Sequence, residues 1–217
     1  MVNVAQRGAG SPFDMVEALV AADGSAGHPH VQRLLAARTP RRDLADAVHA
    51  LCAVHGHQPS VIDAALTRCA QPDACGWLGD LAQGFAGERA HLARVVAAAG
   101  PLPSTPAQAE SEQALVGVRH ALDMLARSDR GGCATGAAAA LAGDWVTVRA
   151  VLARAADYFA VELPPADLVS ADDTAAALAG LCGSPAAERA MTFGARQLLA
   201  QHRGLWDLLE ARASARH

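Results

Sequence analysis

A chain of 217 residues with 18 cationic and 22 acidic side chains, a net charge of −4, can bury one sizeable core and does not require two domains. Every cationic residue is Arg, and these are scattered without aromatic interleaving, which excludes a basic nucleic-acid-binding stripe. Apolar residues make up 52 % of the chain and aromatics only 4 %, so Ala and Leu dominate. Both are strong helix formers, and β-branched runs of strand length are missing, which makes the class all-α.

Five cysteines, at positions 52, 69, 75, 133 and 182, contain no C-x-x-C pair. An odd, unpatterned set argues against a disulfide framework or a zinc knuckle and for a reducing cytoplasm. Met1 to Gly10 lacks the basic-then-apolar pattern of a signal peptide. The most apolar run, Cys133 to Gly143, is about half a membrane span and is closed by Asp144. A cytoplasmic protein with no membrane partner is therefore expected.

Helix punctuation then fixes the elements in chain order. Ser11-Pro12 opens a helix over 12–22, and a second covers 29–38. Thr39-Pro40 opens 40–56, which Gly56 closes, and 59–70 follows. A long helix over 73–99 stops at Gly100, and Thr105-Pro106 opens 106–128. After the Ser128–Gly132 turn comes 133–162, ended by Pro164-Pro165; Ser170-x-x-Asp173 opens 171–182 and Ser184-Pro185 opens 185–213. A Ser or Thr N-cap accepts an orphan backbone N–H, and Pro at the first helical position has no N–H to lose. The expected architecture is one domain over 1–217, a bundle of four to five long antiparallel helices with short accessory ones. Its core spans about 40–213, and residues 1–10 are expected to be disordered.

Several polar residues fall on apolar stripes. Glu88 continues the run Leu78, Leu81, Phe85, Leu92 and Val95; Glu188 begins the run Met191, Ala195, Leu198, Leu205 and Leu209. A carboxylate facing a core must be paired, protonated or metal-bound. For pairing, Arg119, Arg149 and Arg196 are the candidates. His55 and His202 sit on similar stripes and read as satisfied core histidines, and Trp145 reads as core.

One short motif occurs twice. Ala86-Gly87-Glu88-Arg89-Ala90-His91 and Ala186-Ala187-Glu188-Arg189-Ala190-Met191 share Glu-Arg-Ala, and His49-Ala50-Leu51 is echoed by His120-Ala121-Leu122. In this alternation the chain resembles the ferritin-like superfamily, whose two helix pairs each carry a Glu on one helix and Glu-x-x-His on the next. Glu88-x-x-His91 matches that pattern, whereas Glu188-x-x-Met191 keeps only the carboxylate. The resemblance implies an altered or lost iron or manganese site built from Glu88, His91, Glu188, His49 and His120. Stretches Gln201 to Glu210 and Ser128-Asp129-Arg130-Gly131 also resemble an uncharacterised alphaproteobacterial family with no assigned activity.

Two further readings compete with metal binding. In a helical enzyme resembling haem-oxygenase-like, thiaminase-type proteins, Cys133 at a helix N-terminus would be the nucleophile, with His120 as base and Asp123 to orient it. In a non-catalytic binding or assembly protein, the last helix would support a homodimer and a small molecule would sit between helices.

Overall fold

The computed structural model describes residues 11–102, 108–181 and 183–216; residues 1–10, with their expected disorder, and the Thr105-Pro106 cap lie outside them. Among the described residues the chain forms nine helices and no strand: α1 (Pro12–Asp23), α2 (Pro29–Leu35), α3 (Arg41–His55), α4 (Val61–Arg68), α5 (Cys75–Ala99), α6 (Gln108–Ala126), α7 (Cys133–Tyr158), α8 (Ala171–Ala179) and α9 (Pro185–Ser214). Short 3-10 turns cover Ser25–Gly27 and Pro72–Ala74.

Most expected caps hold. Ser11 and Asp14 form a reciprocal capping box, as Ser60 and Asp63 do for α4, and Ser170 and Ser184 each accept the backbone N–H three residues on. Thr39 behaves differently. Its hydroxyl faces back to the carbonyls of Arg33, Leu34 and Ala36 at 2.8, 3.0 and 2.8 Å, so it closes α2 rather than opening α3. This is why α2 stops at Leu35, short of 38. The seventh helix likewise ends at Tyr158 rather than 162, because the chain turns into left-handed backbone at Ala160 (φ 56°).

At the centre lie α7 and α9, and they run parallel, not antiparallel. A Cβ at Gly136 would collide with the Met191 carbonyl, and one at Gly194 with the Cys133 carbonyl, so the helices touch backbone to backbone at their N-terminal ends. Further along, Asp144 of α7 reaches His202 of α9. Helix α8 stands between them in the chain, and α9 starts beside the start of α7. Helix α3 opposes α9: His55 meets His202, while Asp46 meets Arg212.

By length and composition α7 could cross a membrane, but 61 % of its most apolar window is buried inside the fold, where α1 to α6 and α9 all pack against it. The cysteine reading needs correction at one point: Cys69 and Cys75 form a disulfide across the α4–α5 turn, their Cα atoms 5.8 Å apart. Cys69 caps α4 in left-handed backbone (φ 36°), which turns its side chain back towards the first residue of α5. A six-residue separation gave no motif to read.

Candidate functional site

Two buried carboxylates organise the core, Asp144, which precedes Trp145 in α7, and Glu88, which the Trp145 indole reaches. The first is Asp144, 1 % exposed. It accepts Ser25 N–H at 2.6 Å on Oδ1, and on Oδ2 it accepts the Ser25 hydroxyl at 2.5 Å and His202 Nδ1–H at 2.7 Å. Trp206 Nε1–H donates to Ser25 Oγ at 2.7 Å. His202 Nε2 lies 3.1 Å from His55 Nε2, and the two rings meet edge to face. Since Nδ1 of His202 faces a carboxylate, it carries a proton; the two Nε2 atoms must then share one more between them.

Electrostatics follow from this geometry. Burial raises the Asp144 pKa, but the hydrogen bond and charge of His202 and the two Ser25 bonds outweigh it, leaving the carboxyl below its ordinary value. His55 is pushed well below the ordinary imidazole value by burial first, then by His202 and His57. His202 and His55 are 3 and 6 % exposed, so the chain Ser25–Asp144–His202–His55 is sealed from substrate-sized molecules.

The second carboxylate, Glu88 of α5, is 1 % exposed and accepts Trp145 Nε1–H at 3.0 Å. Its other oxygen is ion-paired with Arg149 of α7, whose second amino group donates to the Pro164 carbonyl. Arg149 was among the partners anticipated from sequence. Trp145 packs against Phe85 and the edge of His55, with ring centroids 5.0 and 5.3 Å away.

The other expected site residues are scattered. His91 is 3.7 Å from Glu88 Oε1, a pair without a hydrogen bond, and burial lowers its pKa. Glu188, expected to face inward, is exposed in the first turn of α9, where its charge complements the helix N-terminus. His49 bonds the Gly100 carbonyl at 2.8 Å, and His120 is exposed. Among the described residues these five do not gather: the one group of three ligand-type atoms within 4.8 Å of one another is His28, Asp207 and Glu210.

That surface group does not suit a metal ion. His28 Nδ1 accepts the His30 backbone N–H at 3.1 Å, so the ring's proton is on Nε2, the atom that points at Asp207 3.0 Å away. A ligating histidine has the opposite arrangement, donating through its other nitrogen. The Arg33 guanidinium, 2.7 Å from Glu210, already neutralises the third member.

For the enzyme reading, Cys133 is 2 % exposed and opens α7 below a cleft of about 410 Å³, rimmed by Met124, Arg130 and Phe193. His120 and Asp123 do not bond to it; Asp123 instead lies 3.7 Å from His57. The structure thus brings together Glu88 with His91, and not Cys133 with His120 and Asp123.

A separate groove runs between α1, α7 and α8, a space of about 350 Å³ lined by Phe13, Val16, Val20, Ala142, Val146 and Val169 among others. Glu17 is its sole charged lining residue. Val146 stands at its edge 71 % exposed, the most exposed large apolar side chain among the described residues. Two wall residues, Ala26 and Gly143, are the sequence neighbours of Ser25 and Asp144.

Fold and core together define an all-helical protein with a polar-linked interior and an apolar groove between α1, α7 and α8. Over residues 20–217 the chain belongs to the family of unknown function DUF6975. Neither a curated protein nor a solved structure is significantly similar to it. The uncharacterised-family resemblance therefore stands, and nothing ties the chain to ferritin-like or haem-oxygenase-like bundles.

Proposed function

We propose that the protein is a non-catalytic binding module whose groove between α1, α7 and α8 takes a small, largely apolar molecule with an uncharged or cationic end. One observation carries this reading: a concave, apolar space of about 350 Å³ with Val146 left exposed at its edge. That volume is within the range of small-ligand sites, which are mostly apolar with few polar groups. Glu17 disfavours an anionic end there. The sealed histidines and carboxylates serve the scaffold in this reading, since no substrate-sized molecule reaches them.

Calorimetric titration with 1-octanol, octylamine and octanoate tests it. Octanol and octylamine are expected to bind and octanoate to bind more weakly. Ala142→Phe, which fills the groove, or Val146→Asp, which makes its edge polar, is expected to lower octanol affinity by about tenfold or more. Absence of binding by all three compounds, or unchanged affinity in both variants, would overturn the reading.

A further inference from the structure

We propose that the Ser25–Asp144–His202–His55 chain is a proton-operated clamp that holds α1 against α7 and so regulates the groove between them. This rests on the groove being the binding site. Helix α1 ends at Asp23, and the next residues wrap over α7: Gly24 N–H donates to the Val20 carbonyl at 2.8 Å, and Ser25 ties the turn to Asp144 through both its backbone N–H and its hydroxyl. Val20 itself lines the groove and stands opposite Gly143, so the turn that makes the clamp also sets the position of one groove wall.

The proton count makes the clamp sensitive to acid. In its resting form His202 carries the Nδ1 proton, His55 carries the Nε2 proton, and Asp144 is charged. A first added proton enters at His55 Nδ1, and the shared proton moves across 3.1 Å to His202 Nε2, leaving an imidazolium beside the Asp144 carboxylate. Every hydrogen bond survives this step. A further proton on the pair would put N–H groups on both Nε2 atoms facing each other, and a proton on Asp144 would replace an acceptor with a donor. The first change drives the two rings apart and shifts the His202 ring bonded to Asp144, and the second removes an acceptor for Ser25, so each loosens the tie that holds Ser25.

Charged and titratable neighbours decide where this happens. Facing the pair are Asp144 from α7 and His57 from the α3–α4 loop, with Asp123 of α6 beyond it at 3.7 Å. Glu88 of α5, bonded to the Trp145 indole, and Arg149 of α7 neutralise each other. On the α1 side, Asp23 is occupied by Arg203 of α9. Burial together with the charge of His202 and His57 disfavours protonating His55, so the clamp stays closed at neutral pH and yields on the acid side of the ordinary histidine range.

Hydrogen exchange of the α1 and 25–27 amides, corrected for intrinsic rates, should be compared at about pH 7.5 and about pH 5 on the full chain, alongside octanol titrations at both values. Protection in α1 is expected to fall relative to α5 as pH drops, with octanol affinity falling about fivefold or more. His55→Gln, whose amide can still donate to His202 but cannot titrate, is expected to keep neutral-pH protection and lose the pH dependence. Ser25→Ala is expected to loosen α1 at both pH values. Constant α1 protection relative to α5 in the wild type, or α1 protection unchanged by Ser25→Ala, would overturn the clamp. Failure of octanol to bind at any pH would remove the groove reading while the exchange data still decide the clamp.

Discussion

Asp144 and Glu88 are equally buried, one preceding Trp145 in the chain and the other bonded to its indole N–H, yet they are neutralised by different chemistry. Glu88 faces Arg149, a cation at every pH at which the protein folds. Asp144 faces a serine and a histidine whose partner is another histidine. The first is a permanent tie between α5 and α7. The second joins the turn after α1 with α3, α7 and α9 through protons that are gained on the acid side of the ordinary histidine range. A single helical core can thus hold one fixed and one adjustable polar link, and the kind of cation supplied decides which is which.

The largest effect that separates them should come from removing one charge of the fixed pair. Glu88→Ala leaves Arg149 largely buried without its carboxylate and is expected to lower unfolding stability by roughly 3–5 kcal/mol in urea titration. An unchanged urea midpoint would mean that Arg149 reaches solvent freely.

Ser25→Ala removes one buried donor to Asp144 and the acceptor for Trp206, and is expected to cost about 1–3 kcal/mol in the same measurement. It should also shift the near-ultraviolet circular dichroism of Trp206, a signal that Glu88→Ala should reproduce less strongly.

A pH series contrasts the two links directly. His55 has a folded pKa below its unfolded value, so between the two the unfolded chain binds more protons and stability rises with pH. Stability should therefore be full above about pH 6.5 and decline as pH falls below it. Asp144, also depressed in the fold, adds a second loss below its unfolded value of 3.8. His55→Gln is expected to flatten the upper part of that decline, whereas Glu88→Ala should leave its slope intact. An unchanged slope in His55→Gln would assign the titration to other histidines.

The smallest effect is expected at the surface group of His28, Asp207 and Glu210. Added zinc or manganese should not raise the melting temperature, because His28 presents a proton rather than a lone pair to the site. A rise that disappears in Asp207→Asn would contradict that assignment.

The sequence made the helices legible through hydroxyl and Pro caps, and it singled out Glu88 because a carboxylate interrupts a clear apolar stripe. It also named Arg149 as a partner. Glu188 interrupts nothing: it begins its stripe in the first turn of α9, where the side chain still lies outside the packed region. Periodicity cannot distinguish a helix's exposed first turn from its core-facing middle. Asp144 was read as the end of an Ala/Gly run, although it lies one turn from Leu141 and Val148 on the buried face of α7. Its partner Ser25 is 119 residues away in a three-residue turn, a pairing no local pattern encodes. The parallel course of α7 and α9 was equally hidden, since it depends on the close backbone approach at Gly136 and Gly194. The Cys69–Cys75 bond lacked a motif for the same reason: left-handed backbone at Cys69, not spacing, brings the thiols together.

Nitrogen-15 correlation spectra of the histidine rings, recorded from about pH 7.5 downward, test the shared-proton link most directly. The expected result is a His202 ring protonated at Nδ1, coupled through Nε2 to His55, with His55 still neutral at about pH 6.5 and protonated only on the acid side of it. Two rings that titrate independently near about pH 6.5, each with the behaviour of free imidazole, would contradict it.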